Sequence, residues 1–390
     1  MCSNFSSCVV SLLGVPPQAL FGQLLLGLIN GSFYAMLSLG LAVIFGLLNI
    51  INFAHGAQYM MGAFGAYLLL NNSIFSIGYW PALILSPVIV GLFGVLLERN
   101  LLSQLNVRSK KRSLTVIGAF FLILIALSGS NLGSALGLGN SVPDLPAMLG
   151  YSLDPTLAYA LAAIGALLLA TVLANTGILQ AHDSDQHTDH LYGLLLTFGL
   201  AIIIQGVFVN QYGSSGLPYT IPPELSGGRS LSIGSQPIMF LPIYRGWVVV
   251  ASLVVCIATW LMIEKTKLGA YLRAATENPT LLSAFGVNVP RLITFTYGFG
   301  VALAGLAGVL AAPIYSVNPN MGADLIIVVF AVVVIGGMGS ILGSIVTGFM
   351  LGLVEGLTKV FYPQASSTAI FVIMAIVLLI KPAGLFGKAA

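Results

Sequence analysis

Glu264-Lys-Thr-Lys-Leu-Gly-Ala-Tyr-Leu-Arg273-Ala-Ala-Thr-Glu277-Asn-Pro-Thr-Leu-Leu-Ser283-Ala-Phe-Gly286-Val-Asn-Val-Pro-Arg291 is a polar island between two long apolar segments. Residues Leu268 to Thr276 are mostly good helix formers, and Pro279 stands where a second short helix can begin. Ala284-Phe285-Gly286-Val287 ends that second helix on a glycine, the residue that most readily takes a left-handed C-terminal cap. The stretch therefore predicts two short helices lying across a membrane face. Taken alone, its four cationic side chains are also compatible with an ordinary basic loop.

The rest of the chain gives the island its meaning. Of 390 residues, 58% are hydrophobic and only 6% charged, and the mean hydropathy is +1.02. That composition lies outside the soluble range and predicts an all-α polytopic membrane protein. The 45 glycines suit the class, because small residues let helix backbones approach where lipid gives no hydrophobic drive for association. A net charge of +3, spread over loops, gives no support for a nucleic-acid partner. Cys2, Cys8 and Cys256 have neither metal-ligand nor redox spacing. Residues Met1 to Gln18 lack a positive leader region, so the first span is expected to act as the insertion signal.

Apolar segments fall at Ala19–Leu48, His55–Leu70, Trp80–Leu97, Leu114–Leu132, Thr156–Ala174, Leu191–Asn210, Tyr244–Ile263, Leu292–Ala312, Leu325–Ile335, Ile341–Phe361 and Thr368–Ile380. About eleven spans result, some discontinuous, with the first long enough to tilt or break near Gly40 or Gly46 and the ninth short. With the Glu264–Arg291 loop inside, alternation also puts Arg99, Arg108, Lys110, Lys111, Arg112, Lys381 and Lys388 inside, eleven of the fourteen basic residues in all. The positive-inside rule favours this frame, with the N-terminus outside and the C-terminus cytoplasmic. The Ser-, Gly- and Pro-rich Tyr212–Ile243 loop then faces outward, where a soluble partner could dock.

Three polar groups interrupt the apolar text. Asn49, Asn52 and His55 occur in Leu47-Leu-Asn-Ile-Ile-Asn-Phe-Ala-His-Gly56, and either line a gating bend or cap a helix boundary. Gly336-Gly337-Met338-Gly339-Ser340-Ile341-Leu342-Gly343 permits either a broken helix lining a cavity or a plain turn. Glu355 and Lys359 stand i, i+4 in the favourable order and are expected to neutralise each other. Asp324, beside an outer end, and Gln205 are the other intramembrane polar groups of note, too few for proton-driven transport. His182, Asp183, Asp185, His187, Asp189 and His190 cluster in a loop, but their spacing matches no closed metal site and a solvated loop is expected. There is no phosphate-binding Gly-x-x-x-x-Gly-Lys-Ser/Thr loop, so the chain is not expected to bind and hydrolyse ATP by that route; no catalytic motif for an intramembrane enzyme is present either.

These motifs resemble those of the branched-chain amino acid (LivH/LivM) family of ABC-importer permeases, nearest the LivH type. Three places carry the resemblance: the Arg-Ala and Glu-Asn-Pro spacing of the Glu264–Arg291 island, the Asn-Phe-Ala-His-Gly run at Asn52–Gly56, and the Gly-Gly-x-Gly-Ser element at Gly336–Ser340. The resemblance covers Leu20 to Arg99 and Asp189 to Lys388 and treats residues 1–390 as one permease domain. Residues 100–188 are read as an inserted helical hairpin, whose two crossings preserve the orientation of everything downstream.

The resemblance implies a multi-pass protein of the bacterial plasma (inner) membrane that needs no cofactor of its own. It implies partners as well: two ATP-binding subunits, a second permease, homologous or identical, and an extracytoplasmic substrate-binding protein. It places Glu277, Asn278, Pro279, Ala284 and Gly286 in the ATPase cleft. It makes Asn49, Asn52, His55, Gly56, Gly337, Gly339 and Ser340 candidates for the translocation path. The cargo it implies is leucine, isoleucine or valine. Urea or short amides stay open as an alternative, and so does a stand-alone secondary carrier, which would account for the helices but not for the coupling loop.

Overall fold

The computed structural model describes residues 14–48, 52–71, 77–99, 190–233 and 236–387. Along them run α1 (Pro17–Leu48), α2 (Ala54–Asn71), α3 (Tyr79–Leu97), α4 (His190–Tyr212), β1 (Gly228–Ile233), β2 (Gln236–Pro242), α5 (Ile243–Lys265), α6 (Lys267–Glu277), α7 (Pro279–Ala284), α8 (Val289–Tyr315), α9 (Met321–Gly336), α10 (Ile341–Phe361) and α11 (Ser366–Ile380). Every apolar segment expected within the described residues is a helix. Seven of these helices are long and apolar enough to cross a bilayer. The expected hairpin at residues 100–188, Asn49 and nearly all of the His/Asp loop lie outside the described residues.

Helix starts follow from their caps. Asn278 and Asn288 accept hydrogen bonds from Leu281 N and Arg291 N, and in each case a proline occupies the first or second helical position, where its missing N–H costs nothing. Ser340 opens α10 in the same way, accepting from Gly343 N at 3.1 Å. The α1 helix does not break at Gly40 or Gly46; it runs 32 residues without interruption. Gly40 serves close approach instead, since an added Cβ there would meet the Gly300 carbonyl and the His55 ring.

Helices α1, α2 and α8 form the interior. Alpha-one lies against α5, α8, α9 and α10, while α2 is enclosed by α3, α4, α8 and α9. Enclosure explains why α2 can carry His55 and Gln58, both fully buried, and still belong to the bundle. The α1–α10 seam is made of glycine: a Cβ added to Gly27, Gly348, Gly352 or Gly356 would strike the backbone of the opposite helix. Backbones in such contact gain dispersion energy over their whole length.

The Tyr212–Ile243 segment, read from composition as a loop, holds an antiparallel hairpin in which Gly228 pairs with Pro242 and Ile233 with Gln236, with an irregularity at Leu231/Ser232. Its strands are too short and too rich in serine and proline for alternation to stand out from turn chemistry. Leu217 also bridges to Val317, tying this segment to the end of α8.

Candidate functional site

The polar island folds into a compact elbow. Gly269 sits so close to the Ile263 carbonyl that any side chain would overlap it, which lets α6 turn sharply away from α5. Arg273 Nη1 donates to the Ile263 carbonyl at 3.2 Å and lies 3.4 Å from Glu264 Oε2, across the same corner. Asn278 ends α6 and caps α7, and α7 closes on Gly286 at φ +81°, a left-handed conformation that favours glycine. The inner side is a small apolar core of Ala275, Leu282 and Val289.

The outer side is where a partner could act. Glu277, Asn278, Pro279, Ala284 and Gly286 are all exposed. Two large apolar groups that the sequence reading did not single out stand among them: Leu281 is 57% exposed and Phe285 77%. An aromatic residue immediately before a left-handed glycine cap, within a polar segment, was the available signal. Without the fold, nothing showed that it points away from the α6–α7 core.

The Asn52–Gly56 run is buried. Asn52 Oδ1 accepts from Ala54 N at 3.1 Å as α2 begins, and its Nδ2 donates to the Tyr297 hydroxyl of α8 at 3.0 Å and lies 3.4 Å from Gln58 Oε1. Gln58 Nε2 also reaches Tyr297, at 3.3 Å. His55 Nε2 pairs with the Leu37 carbonyl at 3.1 Å. Gly56 lets α2 and α9 touch, since a Cβ there would meet the Gly322 carbonyl. Of the two readings of this run, the helix cap is present at Asn52, and the buried polar groups find partners on α1 and α8.

Gly337, Gly339 and Ser340 make the tight α9–α10 turn. Gly337 and Gly339 take φ +100° and +85°, and the C-terminal segment straps the turn through Leu385 N to Ile335 O at 2.8 Å and Phe386 N to Gly336 O at 3.1 Å. Beside it opens a small apolar cleft lined by Leu41, Phe45, Phe330, Val333 and Met338. The two groups of path candidates are not in one cluster: Gly339 lies near Gly46 of α1, whereas Asn52 and His55 lie deeper, against Tyr297 and Leu37.

Glu355 has more partners than its neighbouring lysine. Lys359 Nζ and Asn30 Nδ2 donate to Oε1, and the Tyr34 hydroxyl donates to Oε2 at 2.7 Å. Tyr315 donates in turn to Asn30, so the network joins α1, α8 and α10. Where α3 ends, Glu98 is buried and receives the Thr294 hydroxyl. Burial raises its pKa, opposed by that hydrogen bond and by the nearby Arg99 charge. Among the described residues no group of His, Cys, Asp and Glu could hold a metal ion.

Seven membrane-length helices among the described residues, closely packed through glycines, with an exposed two-helix elbow between α5 and α8, define a polytopic helical membrane protein of the permease class. The chain belongs to the family described as branched-chain amino acid transport system / permease component, whose model matches residues 23–380. It is 26% identical to the high-affinity branched-chain amino acid transport system permease protein BraD of Pseudomonas aeruginosa, over 94% of this chain and 95% of that protein. It is 23% identical, with the same coverage, to the corresponding permease protein LivH of Escherichia coli. The ribose import permease protein RbsC of Escherichia coli is 25% identical over 71% of this chain and 83% of its own length. No solved structure matches.

Proposed function

We propose that this chain is the permease subunit of a binding-protein-dependent ABC importer in the bacterial plasma membrane, and that it forms part of the path taken by branched-chain amino acids. The family membership and the BraD and LivH likenesses over nearly the whole chain carry the substrate class. The α6–α7 elbow supports the mode of energy supply. Leu281 and Phe285 offer apolar knobs, and the exposed Glu277 and Asn278 offer polar rim contacts, a composition suited to seating in a cleft of an ATP-binding subunit. With no nucleotide-binding loop of its own, the chain would work with two ATP-binding subunits, a second permease and an extracytoplasmic binding protein.

In this reading α6 and α7 face the cytoplasm and the β1–β2 hairpin faces outward, in the frame that the lysine and arginine count favours. Uptake of labelled leucine by cells carrying Glu277→Lys or Gly286→Trp tests the coupling role. Uptake should be abolished while membrane levels hold, because the elbow's outer side lies outside the bundle core. Leucine import at the parental rate would end the assignment. Import that survives removal of every ATP-binding partner would point to a secondary carrier, and preferential uptake of urea to the short-amide branch.

A further inference from the structure

Asp324 is at odds with its position. It occupies the first turn of α9, a helix of only 16 residues, whereas its neighbours α1 and α10 run 32 and 21. At 1.5 Å per residue α9 is about 24 Å long, shorter than the roughly 30 Å hydrocarbon core. A helix of that length, ending at the Gly337–Ser340 turn, cannot place both of its ends beyond the hydrocarbon core. Asp324 is nevertheless exposed, and among the described residues its carboxylate has neither a salt bridge nor a hydrogen bond. A bare carboxylate within that core is tolerated only where it faces a water-filled space or a cation, not lipid.

Its surroundings suit one kind of visitor. Gln205 Nε2 of α4 donates to Asn320 Oδ1 at 2.8 Å, one helical turn before Asp324. That bond leaves Gln205 Oε1 free to accept and Asn320 Nδ2 free to donate. Beside these groups runs an apolar stripe at helical spacing. Ile327, 56% exposed, is followed by Phe330, which packs on Phe53 at 6.2 Å and leads to the cleft at Met338. An acid, an acceptor and a donor sit at one end of an uncharged aliphatic and aromatic lane.

We propose that Asp324, Gln205 and Asn320 form a recognition point for the charged end of a free α-amino acid: Asp324 and Gln205 Oε1 for the ammonium, Asn320 Nδ2 for the carboxylate, and the Ile327–Phe330 stripe for a branched aliphatic side chain. The inference rests on the permease reading and assigns within it the residues that select a zwitterion. An uncharged amide can donate hydrogen bonds to the carboxylate but lacks the positive charge that makes an ammonium contact charge-assisted, so the same residues would favour amino acids over urea. The affinity at such a point need only be modest, since cargo must leave it as readily as it arrives.

The complete importer in proteoliposomes, with its ATP-binding and substrate-binding subunits, tests this through leucine imported per ATP hydrolysed at saturating loaded binding protein. In Asp324→Asn the ratio should fall about tenfold or more, the loss expected for one charge-assisted contact, and Asp324→Glu should restore most of it. A ratio unchanged in Asp324→Asn overturns the proposal. So does a parallel collapse of ATP hydrolysis and import in both variants, which would mark a structural role. Failure of the parental importer to carry any amino acid would instead remove the permease reading beneath it, a result visible before any variant is made.

Discussion

At the level of single residues, one side chain often serves two elements. Asn278 ends α6 and caps α7, so Asn278→Ala should loosen α7 by about 1 kcal/mol, as cap removal does elsewhere. Because the elbow is exposed, the thermal midpoint of the whole protein in detergent should barely move, while co-purification with the ATP-binding subunit should weaken; Asn278→Asp should retain both. Glu98 gives a pH prediction. Its folded pKa is raised by burial, so above the ordinary glutamate range the folded state holds a proton that the unfolded state has lost. Its contribution is then complete below the unfolded pKa and declines as pH rises through the raised value. The apparent midpoint should fall over that interval in the parent and be flatter in Glu98→Gln. The sequence could tell that Asn52 needed partners, but Tyr297 lies 245 residues away and only the fold reveals the pairing. Apolar flanks specify that a polar group must be satisfied, never by what.

The elements divide into those whose signal is local and those whose signal is not. Long apolar runs, and the Pro279 and Gly286 that bound α7, were legible because length, capping and a left-handed glycine act within a few residues. The β1–β2 hairpin was hidden because its six- and seven-residue strands carry the same serine, glycine and proline as the turns around them. The outward aim of Phe285 was hidden for a different reason: it depends on which side of α7 meets Ala275 and Val289. Phe285→Asp should leave the fold intact and lower the affinity for the ATP-binding subunit by about tenfold or more, as loss of a seated aromatic anchor does. Titrated pull-down from membranes with the purified ATP-binding subunit would measure it. Equal binding by both forms would remove Phe285 from the interface.

At the scale of the molecule, the order of helices was readable but their arrangement was not. Glycine abundance announced close packing without saying that α1 pairs with α10, at opposite ends of the chain. Orientation rests on charge alone. Single cysteines placed at Ser214 to Ser226 should react with an impermeant thiol reagent added to intact cells, whereas those at Ala270 to Ser283 should react only after permeabilisation. Labelling of the second group in sealed cells would invert the frame and place α6–α7 outside.

The α1–α10 seam also has a genetic consequence. Every glycine codon begins GG, and each single-base missense change yields alanine, valine, serine, cysteine, tryptophan, arginine, aspartate or glutamate, all of which bear a Cβ. At Gly27, Gly348, Gly352 and Gly356 even alanine would overlap the opposing backbone. A random-mutagenesis screen for lost uptake should therefore recover these four codons repeatedly, and recovery should come mainly by reversion to glycine, because the nearest atoms across the seam are backbone that no smaller side chain can withdraw.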